Sequence, residues 1–230
     1  MENKFTIQSQ AILVQTEDGS SSLFQADLGE TYHSHFGAIT ESEHVFIRNG
    51  FLSLNTEKQE ITILEIGFGT ALNALLTLAN TKISQKVHYT GIEKFPVQEE
   101  LAKQLNYCES VVLQAFEDEF LKMHICDWAK ETSITGTFYL TKLNVDIETY
   151  YPESEQFDLI YFDAFSPNVQ AELWKAEIFR RMFLGLKPGG ILVTYCAKGI
   201  VKEAMREAGF QVKRLPGPPG KRHMVKAIKL

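Results

Sequence analysis

The chain has 230 residues, of which 44% are hydrophobic and 23% are charged. This composition is ordinary for a globular protein, so a sizeable core is available. No segment approaches the apolar length that spans a bilayer, and the first residues lack a signal-peptide pattern, so we expect a cytoplasmic protein with no membrane partner. Cys108, Cys126 and Cys196 are scattered and odd in number, which favours free thiols over a disulfide framework, and no Cys/His spacing matches a zinc site.

The formal net charge of −6 is unevenly distributed along the chain. Residues 180–230 hold 12 Lys and Arg but only 2 Asp and Glu, and the preceding residues therefore carry the acidic excess. A basic C-terminal part on an acidic body suggests a polyanionic partner at one face. A solvated basic surface would have the same composition, and charge alone does not separate the two interpretations.

The first part of the chain is an N-terminal extension, residues 1–55, which we expect to pack on a catalytic domain over residues 56–230 as one structural unit. Residues 11–24 are typical of a hairpin, because two short apolar runs flank a turn-forming cluster. Residues 40–48 suit a short helix that Thr40 or Ser42 caps. His33 and His35 could be metal ligands, but such histidines are more often surface or hydrogen-bonding groups, and no metal is expected.

The segment Ile61–Asn73 is the centre of the chain: an apolar, β-branched run, a tight glycine turn and the start of a helix to about Leu78. The run predicts a strand buried on both faces. Gly67 and Gly69 allow a ligand to approach the backbone at the helix N-terminus. A dinucleotide fingerprint requires a third glycine where Leu72 stands, so S-adenosylmethionine is the favoured cofactor.

Three acids follow later predicted strands and continue this pattern. Glu93 ends the strand Lys86–Glu93 and is placed to accept hydrogen bonds from ribose hydroxyls. Asp146 follows a strand over 136–145, where it would lie near an adenine, and Asp163 follows the strand Phe157–Phe162. Ligands of open α/β sheets bind outside the carboxyl ends of the strands, so all three acids are expected around one pocket.

The remaining pattern predicts an α/β, Rossmann-like fold of the class I methyltransferase type, whose mostly parallel sheet has an antiparallel last strand. Further helices are expected over 97–105, 110–128, 170–184 and 200–208, the last ending at Gly209. Further strands are expected over 191–196, 210–215 and 224–229. In the predicted helix over 110–128, Val111, Val112, Ala115, Phe116, Phe120 and Met123 form an apolar stripe that suits a core.

The segment Asp163–Pro167 resembles the D/N-P-P-aromatic loop of amino-methyltransferases, with altered middle residues. Methyl transfer is an in-line displacement, so positioning is the main task of the protein. Asp163 could orient an acceptor amine or remove its proton, and Phe165 could stack on a planar base. A turn residue before Pro167 is the structural alternative for Asp163, and Phe165 could equally belong to the core.

These motifs resemble the MnmC/MnmD family of methyltransferases, which act on the wobble uridine of tRNA. The matching segments extend over nearly the whole chain and are residues 32–38, 41–47, 65–73, 163–174, 186–190 and 218–224. The resemblance implies S-adenosylmethionine-dependent methylation of the 5-aminomethyl group of wobble (2-thio)uridine, which gives 5-methylaminomethyl-uridine. Larger family members carry a flavin-dependent oxidase domain, whose activity we expect to be absent from this chain.

The resemblance also implies roles for individual residues. Asp163 is expected near the acceptor amine with Phe165 beside it, and Tyr32, Glu41 and His44 in the segment that covers the pocket. The expected cofactor-binding residues are Tyr32, Glu41, Glu65, Gly67, Gly69, Thr70, Asn73, Glu93, Asp146 and Asp163. The expected contacts to the anticodon arm of the tRNA are Lys198, Lys202, Arg214, Lys221 and Arg222.

Two other functions stay open from the sequence. The same sheet and acids would serve a methyltransferase or aminopropyltransferase for a small amine, and a degenerate Rossmann domain could bind RNA without catalysis. Ala71, which stands where the usual methyl-donor motif has its last glycine, is expected to be tolerated if its φ angle is negative.

Overall fold

The computed structural model of the protein describes residues 11–54 and 57–230, so the expected boundary between residues 55 and 56 lies outside the described residues. The predicted N-terminal hairpin is confirmed, and a third short strand joins it. The strands of this antiparallel sheet are β1 (Ile12–Gln15), β2 (Ser21–Gln25) and β3 (Glu30–Thr31). The segment that begins at Glu30 therefore does contain a strand, although only two of its residues pair.

The main sheet has eight strands in the described part of the chain. In chain order they are β4 (Glu60–Ile66), β5 (Lys86–Ile92), β6 (Thr132–Ser133), β7 (Phe138–Leu143), β8 (Phe157–Phe162), β9 (Leu186–Thr194), β10 (Gln211–Pro216) and β11 (His223–Ile228). Their spatial order is β10-β11-β9-β8-β4-β5-β7-β6, in which β9, β8, β4, β5 and β7 are parallel. β11 runs antiparallel to β9, so the predicted sheet with a reversed last strand is confirmed.

Six α-helices connect or flank these strands within the described residues: α1 (Ala38–Ser42), α2 (Leu72–Ala79), α3 (Glu99–Ala102), α4 (Glu117–Ile125), α5 (Ala176–Gly185) and α6 (Gly199–Glu207). β4 shows why the sheet has two hydrophobic faces. Ile61 and Ile63 pack in one core, which α2 and α4 share, and Leu64 and Ile66 pack in the other, which α5 and α6 share. A strand that contributes to two cores therefore has apolar residues directed to both faces.

The start of α1 differs from the prediction. Neither Thr40 nor Ser42 caps this helix with its side chain, and the helix begins earlier, at Ala38. The β1–β2 turn supplies the missing acceptors instead: Asp18 Oδ2 accepts the Thr40 N–H at 3.0 Å, and Ser20 Oγ accepts the Ala38 N–H at 3.1 Å. Side chains of the hairpin, distant in sequence, therefore hold the start of α1. A π-helical turn over Glu43–Arg48 continues from α1.

The helices predicted between residues 97 and 128 are mostly wrong. Only the four residues of α3 are helical in the first. The second contains a 3₁₀ turn (Gln114–Phe116) followed by α4, and a further 3₁₀ turn (Tyr107–Glu109) lies before it. Val111 is 91% exposed and Val112 is 71% exposed, so the predicted apolar stripe is wrong at its N-terminal end, whereas Phe120 and Met123 are buried. The Ser110 carbonyl accepts the N–H groups of Leu113 and Gln114, which makes a turn where the pattern favoured a helix.

Two further helices were predicted closer to their observed form. The helix predicted over 170–184 is interrupted at Lys175, which separates a 3₁₀ turn (Ala171–Trp174) from α5. The helix predicted over 200–208 is confirmed as α6, and Gly209 ends it with φ +108°. The strands predicted over 210–215 and 224–229 are confirmed as the β10–β11 hairpin.

Candidate active site

The glycine turn after β4 brings the backbone to the carboxyl ends of the strands. Gly67 has φ +86°, and a Cβ atom there would lie 2.5 Å from the Asp163 carbonyl oxygen. A Cβ atom on Gly69 would lie 3.0 Å from the Tyr32 ring. The N–H groups of Gly67 and Phe68 both donate to the Ile92 carbonyl at 3.0 Å, which fixes the turn against β5. Glycine is therefore required at both positions by close approach as well as by conformation.

Ala71 departs from the expectation for its position. Its φ angle is +62°, in the left-handed region, and its side chain is fully buried. The condition of a negative φ is not met, so the methyl group is held there at a conformational cost of about 1–2 kcal/mol. The bonds around it show what holds it: the Ala71 N–H donates to Phe68 O at 2.9 Å, and the Ala71 carbonyl accepts the first bond of α2 from Leu75 at 2.9 Å.

Glu93 closes the glycine turn from the next strand. Its Oε2 accepts the Gly69 N–H at 3.0 Å, and its Oε1 accepts the Phe95 N–H at 2.9 Å. Burial raises the pKa of Glu93 more than these backbone donors lower it. The carboxylate thus lies at the position predicted for a ribose ligand, and each oxygen keeps a lone pair for a further donor.

Asp146 follows β7, the strand that pairs with β5. Burial opposes its ionisation, but the Lys94 ammonium, 2.5 Å from Oδ2, and the Glu148 N–H, 2.9 Å from Oδ1, outweigh burial and lower the pKa of Asp146. This acid therefore stays ionised and is held in place by the loops that follow two neighbouring strands.

These residues surround one cavity of about 140 Å³, which we call the strand-end cavity. Of the residues predicted to bind the cofactor or act in catalysis, it brings together Tyr32, Gly67, Gly69, Glu93, Asp146, Asp163 and Phe165. Apolar side chains form much of the rest of its wall: Leu28, Ile66, Ile92, Phe95, Val145, Ile147 and Leu173. The glycine turn, the carboxylates of Glu93 and Asp146 and the apolar wall give this cavity the chemistry to bind a nucleoside with a charged tail.

Two predicted cofactor residues, Glu65 and Asn73, are not among the lining residues of this cavity, and Asn73 lines a narrow cleft beside the glycine turn. Glu65 is 1% exposed, and its carboxylate accepts Asn73 Nδ2 at 2.8 Å and the Tyr89 hydroxyl at 2.8 Å. The same Asn73 Nδ2 donates to Asp163 Oδ2 at 2.8 Å, so one amide joins two carboxylates. Burial raises the pKa of Glu65 well above its ordinary value, and the charge of Asp163 adds to this. The Asn73 Oδ1 atom is buried and has no hydrogen-bond partner among the described residues.

Thr70 lies at a narrow cleft of about 20 Å³ between the glycine turn and the extension. The Tyr107 hydroxyl donates to its Oγ1 at 3.1 Å, and His124 Nε2 lies 3.2 Å from its carbonyl oxygen. Burial lowers the pKa of His33 and of His124 to about 4, so both rings are neutral at pH 7. Tyr107 and His124 could not be predicted as neighbours of Thr70, because the helical segments that contain them have no recognisable cofactor-binding motif.

Asp163 follows β8 and begins the loop that divides the site, residues 163–167. Its N–H donates to the Ile66 carbonyl at 2.9 Å, which aligns the ends of β8 and β4. Burial and, to a smaller extent, the charge of Glu41 raise the pKa of Asp163 to about 7, although the Asn73 amide and the Lys221 ammonium act in the opposite direction. A carboxyl group of this kind exchanges its proton near neutral pH, which suits a general base.

The rest of this loop is held by residues from both ends of the chain. Phe165 meets the Tyr32 ring edge-on with centroids 5.0 Å apart, and its carbonyl accepts Trp174 Nε1 at 2.9 Å. Ser166 Oγ donates to Glu30 Oε1 at 2.5 Å. No sequence motif indicated the Glu30 contact, which ties the loop to β3.

A second and larger cavity of about 610 Å³ lies between this loop, the N-terminal extension and the β10–β11 hairpin, and we call it the extension cavity. It shares Tyr32, Ala164 and Phe165 with the strand-end cavity. Glu41 lines this cavity rather than the one to which the resemblance assigned it. The two cavities are therefore adjacent and meet at the loop that begins with Asp163.

The five basic residues predicted to contact RNA fall into two groups. Lys198, Lys221 and Arg222 line the extension cavity, whereas Lys202 in α6 and Arg214 in β10 are not among its lining residues. Lys198 donates to Asn168 Oδ1 at 2.5 Å, and Lys221 pairs with Glu41. Within the described part of the chain, no carboxylate forms an ion pair with Lys198 or Arg222.

The remaining expectations from the sequence concern His44, metal binding and membrane-spanning helices. His44 Nε2 lies 2.9 Å from the Pro216 carbonyl, so this residue fastens the extension to β10 and lies outside both cavities. Residues 11–54 and 57–230 contain no group of three or more His, Cys, Asp or Glu that could hold a metal ion. The same residues include no helix of sufficient length and hydropathy to cross a membrane.

Comparison with known proteins agrees with this geometry. The "tRNA 5-methylaminomethyl-2-thiouridine biosynthesis bifunctional protein MnmC" of Burkholderia multivorans is 30% identical over 227 residues, which are 94% of this chain and 34% of the relative. The protein of the same name from Ralstonia nicotianae is 30% identical over 89% of this chain and 32% of its own length. The chain thus spans about a third of the curated relatives it matches, and the resemblance to MnmC proteins is confirmed.

Solved structures show the same fold. The crystal structure of MNMC2 from Aquifex aeolicus superimposes with a TM-score of 0.75 at 24% identity, over 96% of this chain and 71% of that one. Spermidine synthase from Thermotoga maritima superimposes with a TM-score of 0.51 at 16% identity, over 96% of this chain and 73% of that one. Residues 96–230 match the family described as S-adenosyl-L-methionine-dependent methyltransferase, so the cofactor is S-adenosylmethionine. The chain belongs to the S-adenosyl-L-methionine-dependent methyltransferase family.

Proposed function

We propose that this methyltransferase transfers the methyl group of S-adenosylmethionine to the 5-aminomethyl nitrogen of wobble (2-thio)uridine in tRNA. The observation that carries the proposal is the meeting of the two cavities at the Asp163 loop: one suits the donor, and the other has room for a base. The names of the MnmC relatives, which refer to tRNA 5-methylaminomethyl-2-thiouridine biosynthesis, support this choice of acceptor. A cytoplasmic location would follow from a tRNA substrate.

The donor is proposed to occupy the strand-end cavity. Gly67 and Gly69 leave room for its amino-acid end, Glu93 accepts its ribose hydroxyls, and Asp146 lies at the adenine end. Asn73 lines the narrow cleft beside the glycine turn, and its unpartnered Oδ1 is an acceptor available to a polar group of the ligand. Glu65, Asn73 and Thr70 are proposed to shape this cradle from beneath. When bound, the cofactor supplies an electrophilic methyl group on a cationic sulfonium.

The acceptor is proposed to enter the extension cavity, with its aminomethyl group directed at Asp163. An alkylamine is largely protonated at pH 7, and only its neutral form has the lone pair that attacks a methyl group. The raised pKa of Asp163, about 7, makes it a stronger proton acceptor than an ordinary carboxylate, which reduces the cost of taking that proton, and its second oxygen can orient the remaining N–H. Tyr32 and Phe165, which line both cavities, provide aromatic surfaces beside the base.

The nucleic acid is proposed to reach the site along its basic side. Lys198 and Arg222 line the extension cavity without a carboxylate partner among the described residues, so their charges are free to contact phosphates of the anticodon arm. Lys221 is engaged with Glu41 and is a weaker candidate for such a contact. Residues 1–55 are proposed to belong to the same functional unit as the catalytic domain, because they supply Tyr32 and Glu41 to this cavity.

A methyl-transfer assay with labelled S-adenosylmethionine tests this proposal. We expect labelling of tRNA that carries 5-aminomethyl-uridine, none of unmodified tRNA, and none of free polyamines. Asp163→Asn should lower the rate at least 100-fold, whereas binding of the donor, measured by calorimetry, should persist. Labelling of polyamines in preference to tRNA would instead establish a small-amine transferase, and donor binding without any transfer would leave a non-catalytic RNA-binding domain.

A further inference from the structure

An ion pair between Glu41 and Lys221 joins the two ends of the chain at the extension cavity. Glu41 belongs to α1, and Lys221 belongs to the loop between β10 and β11. The Glu41 side chain is buried, and its Oε2 accepts the Ser34 N–H at 2.8 Å. The Lys221 ammonium also lies 3.9 Å from the centre of the Tyr195 ring. Contacts with Ser34 and Tyr195 therefore hold the side chains of Glu41 and Lys221, and the ion pair needs both ends of the chain.

A second chain of contacts connects this pair with the loop after β8. The Tyr195 hydroxyl donates to the Ala164 carbonyl at 2.9 Å, and Ala164 directly follows Asp163. The β10–β11 loop packs closely on the extension here, since a Cβ atom on Gly220 would lie 2.0 Å from the Phe36 ring. A buried ion pair contributes little net stability, because desolvation of both charges offsets their attraction. The pair lines the extension cavity, and Tyr195 links it to Ala164, the residue that follows Asp163. This placement points to a functional reason.

We propose that Glu41 and Lys221 are a positioning pair for Asp163, and that their opposed charges set the charge that Asp163 carries when the acceptor amine enters the extension cavity. This inference rests on the proposed role of Asp163 in methyl transfer. Glu41 and Lys221 themselves are not required to touch the reacting atoms.

The electrostatics of Asp163 agree with this arrangement. After burial, the Glu41 carboxylate is the largest influence that raises the pKa of Asp163, and the Lys221 ammonium lowers the pKa by a smaller amount. The other groups that face Asp163 are Asn73 from α2, Glu65 from β4, Tyr89 from β5 and Tyr195 after β9. Of these groups, Glu41 and Lys221 are the oppositely charged pair that lines the extension cavity.

The test is the pH dependence of kcat/KM for methyl transfer to aminomethyl tRNA. Glu41→Gln removes the negative charge but leaves Lys221, so the acidic limb should move to lower pH by roughly one unit. The double variant Glu41→Gln/Lys221→Met also removes the cation, so its limb should lie between those of Glu41→Gln and wild type. Lys221→Arg keeps the charge and should retain the wild-type profile. A uniform loss of activity with an unchanged profile would show a merely structural role and overturn the proposal.

A direct titration separates this inference from the proposed function. The ¹³C resonance of the Asp163 carboxyl group, identified by its loss in Asp163→Asn, is followed against pH in the free protein without donor or tRNA. We expect the same order of midpoints: Glu41→Gln lowest, the double variant next, wild type highest. An equal midpoint in wild type and Glu41→Gln would refute the positioning pair even if tRNA is methylated. If tRNA is not methylated but the midpoints follow this order, the proposed function fails and the electrostatic pair stands.

Discussion

β8 carries an aspartate at each end, and the two differ in every physical respect. Asp158, near the start of the strand, is 1% exposed and accepts hydrogen bonds from Lys58, from Lys187 at 3.0 Å and from the Thr62 N–H at 2.9 Å. These partners outweigh burial and lower the pKa of Asp158. Asp163, just after the strand, has the Asn73 amide as its hydrogen-bond donor, and burial raises its pKa to about 7.

This difference separates a structural carboxylate from one available for chemistry. The amino end of the strand neutralises its buried charge with two lysines, as a folded protein ordinarily does. The carboxyl end leaves the partly buried carboxyl group of Asp163 without a cationic partner in direct contact, and Asp163 lines the strand-end cavity and the narrow cleft beside Thr70. A carboxylate whose charge is not balanced by a cation lowers the free energy of unfolding, and carboxyl groups of this kind are typical of functional sites.

The largest expected effect concerns chemistry at the carboxyl end. Asp163→Asn keeps the shape of the side chain but removes its basicity, so kcat for methyl transfer should fall by about 10²–10⁴-fold. Asp158→Asn is the matched control on the same strand, and its kcat at a temperature where it is folded should stay within about threefold of wild type. Equal losses in the two variants would erase the distinction between the two ends.

The next effect concerns stability at the amino end. Asp158→Asn leaves Lys58 and Lys187 without their carboxylate, so the free energy of unfolding should fall by about 2 kcal/mol, discounted because both lysine side chains are partly exposed. Urea unfolding at pH 7 measures this change. The folded pKa of Asp158 is lowered from 3.8, so its contribution is fully present above the unfolded pKa and should decline as the pH falls from about 4 towards the lower folded pKa. A loss that persisted unchanged at pH 3 would point to packing instead of charge.

An opposite effect is expected for stability at the carboxyl end. The folded pKa of Asp163, about 7, lies above the ordinary value of 3.8, so the folded protein binds more protons between these values and stability falls as the pH rises through this window. Asp163→Asn removes that penalty. Relative to wild type, the variant should gain up to about 4 kcal/mol between pH 4 and pH 8, since each pKa unit corresponds to about 1.4 kcal/mol, and denaturant unfolding at both pH values measures this gain. A gain that is independent of pH would show that Asp163 does not titrate in this range.

The smallest effect concerns binding of the tRNA phosphates. Lys198→Gln/Arg222→Gln should raise KM for tRNA about three- to tenfold and reduce the slope of log KM against log salt by about 1–2, since two phosphate contacts are lost. Lys202→Gln/Arg214→Gln carries the same change of charge outside the cavity and serves as the control. If the control pair has the larger effect, the tRNA approaches from the side of α6 and β10.

Much of the fold could be predicted because buried parallel strands have a distinctive sequence. β4 and β8 are mostly apolar, and the acids that follow parallel strands had to meet at one edge of the sheet. Glu93, Asp146 and Asp163 were placed correctly around one cavity for this reason. The helices over 97–128 were mispredicted, because an apolar spacing that suits a helix also occurs in successive 3₁₀ turns.

The acceptor side could be predicted only in outline. The contacts of Glu41 with Lys221 and of Glu30 with Ser166 join residues 180 and 136 positions apart, and no local pattern encodes such pairs. The left-handed Ala71 was likewise hidden, since alanine gives no signal of a positive φ. The resemblance to MnmC proteins indicated which segments matter, but the fold was needed to show that Glu41 faces the acceptor side.

The central claim is that donor and acceptor meet at the Asp163 loop from two adjoining cavities. The most direct test is a crystal structure with S-adenosylhomocysteine and an anticodon stem–loop that carries 5-aminomethyl-uridine. We expect the cofactor in the strand-end cavity with its ribose at Glu93, the base in the extension cavity, and the aminomethyl nitrogen in contact with Asp163. A wobble base bound outside the extension cavity, or a cofactor sulfur turned away from Asp163, would contradict it.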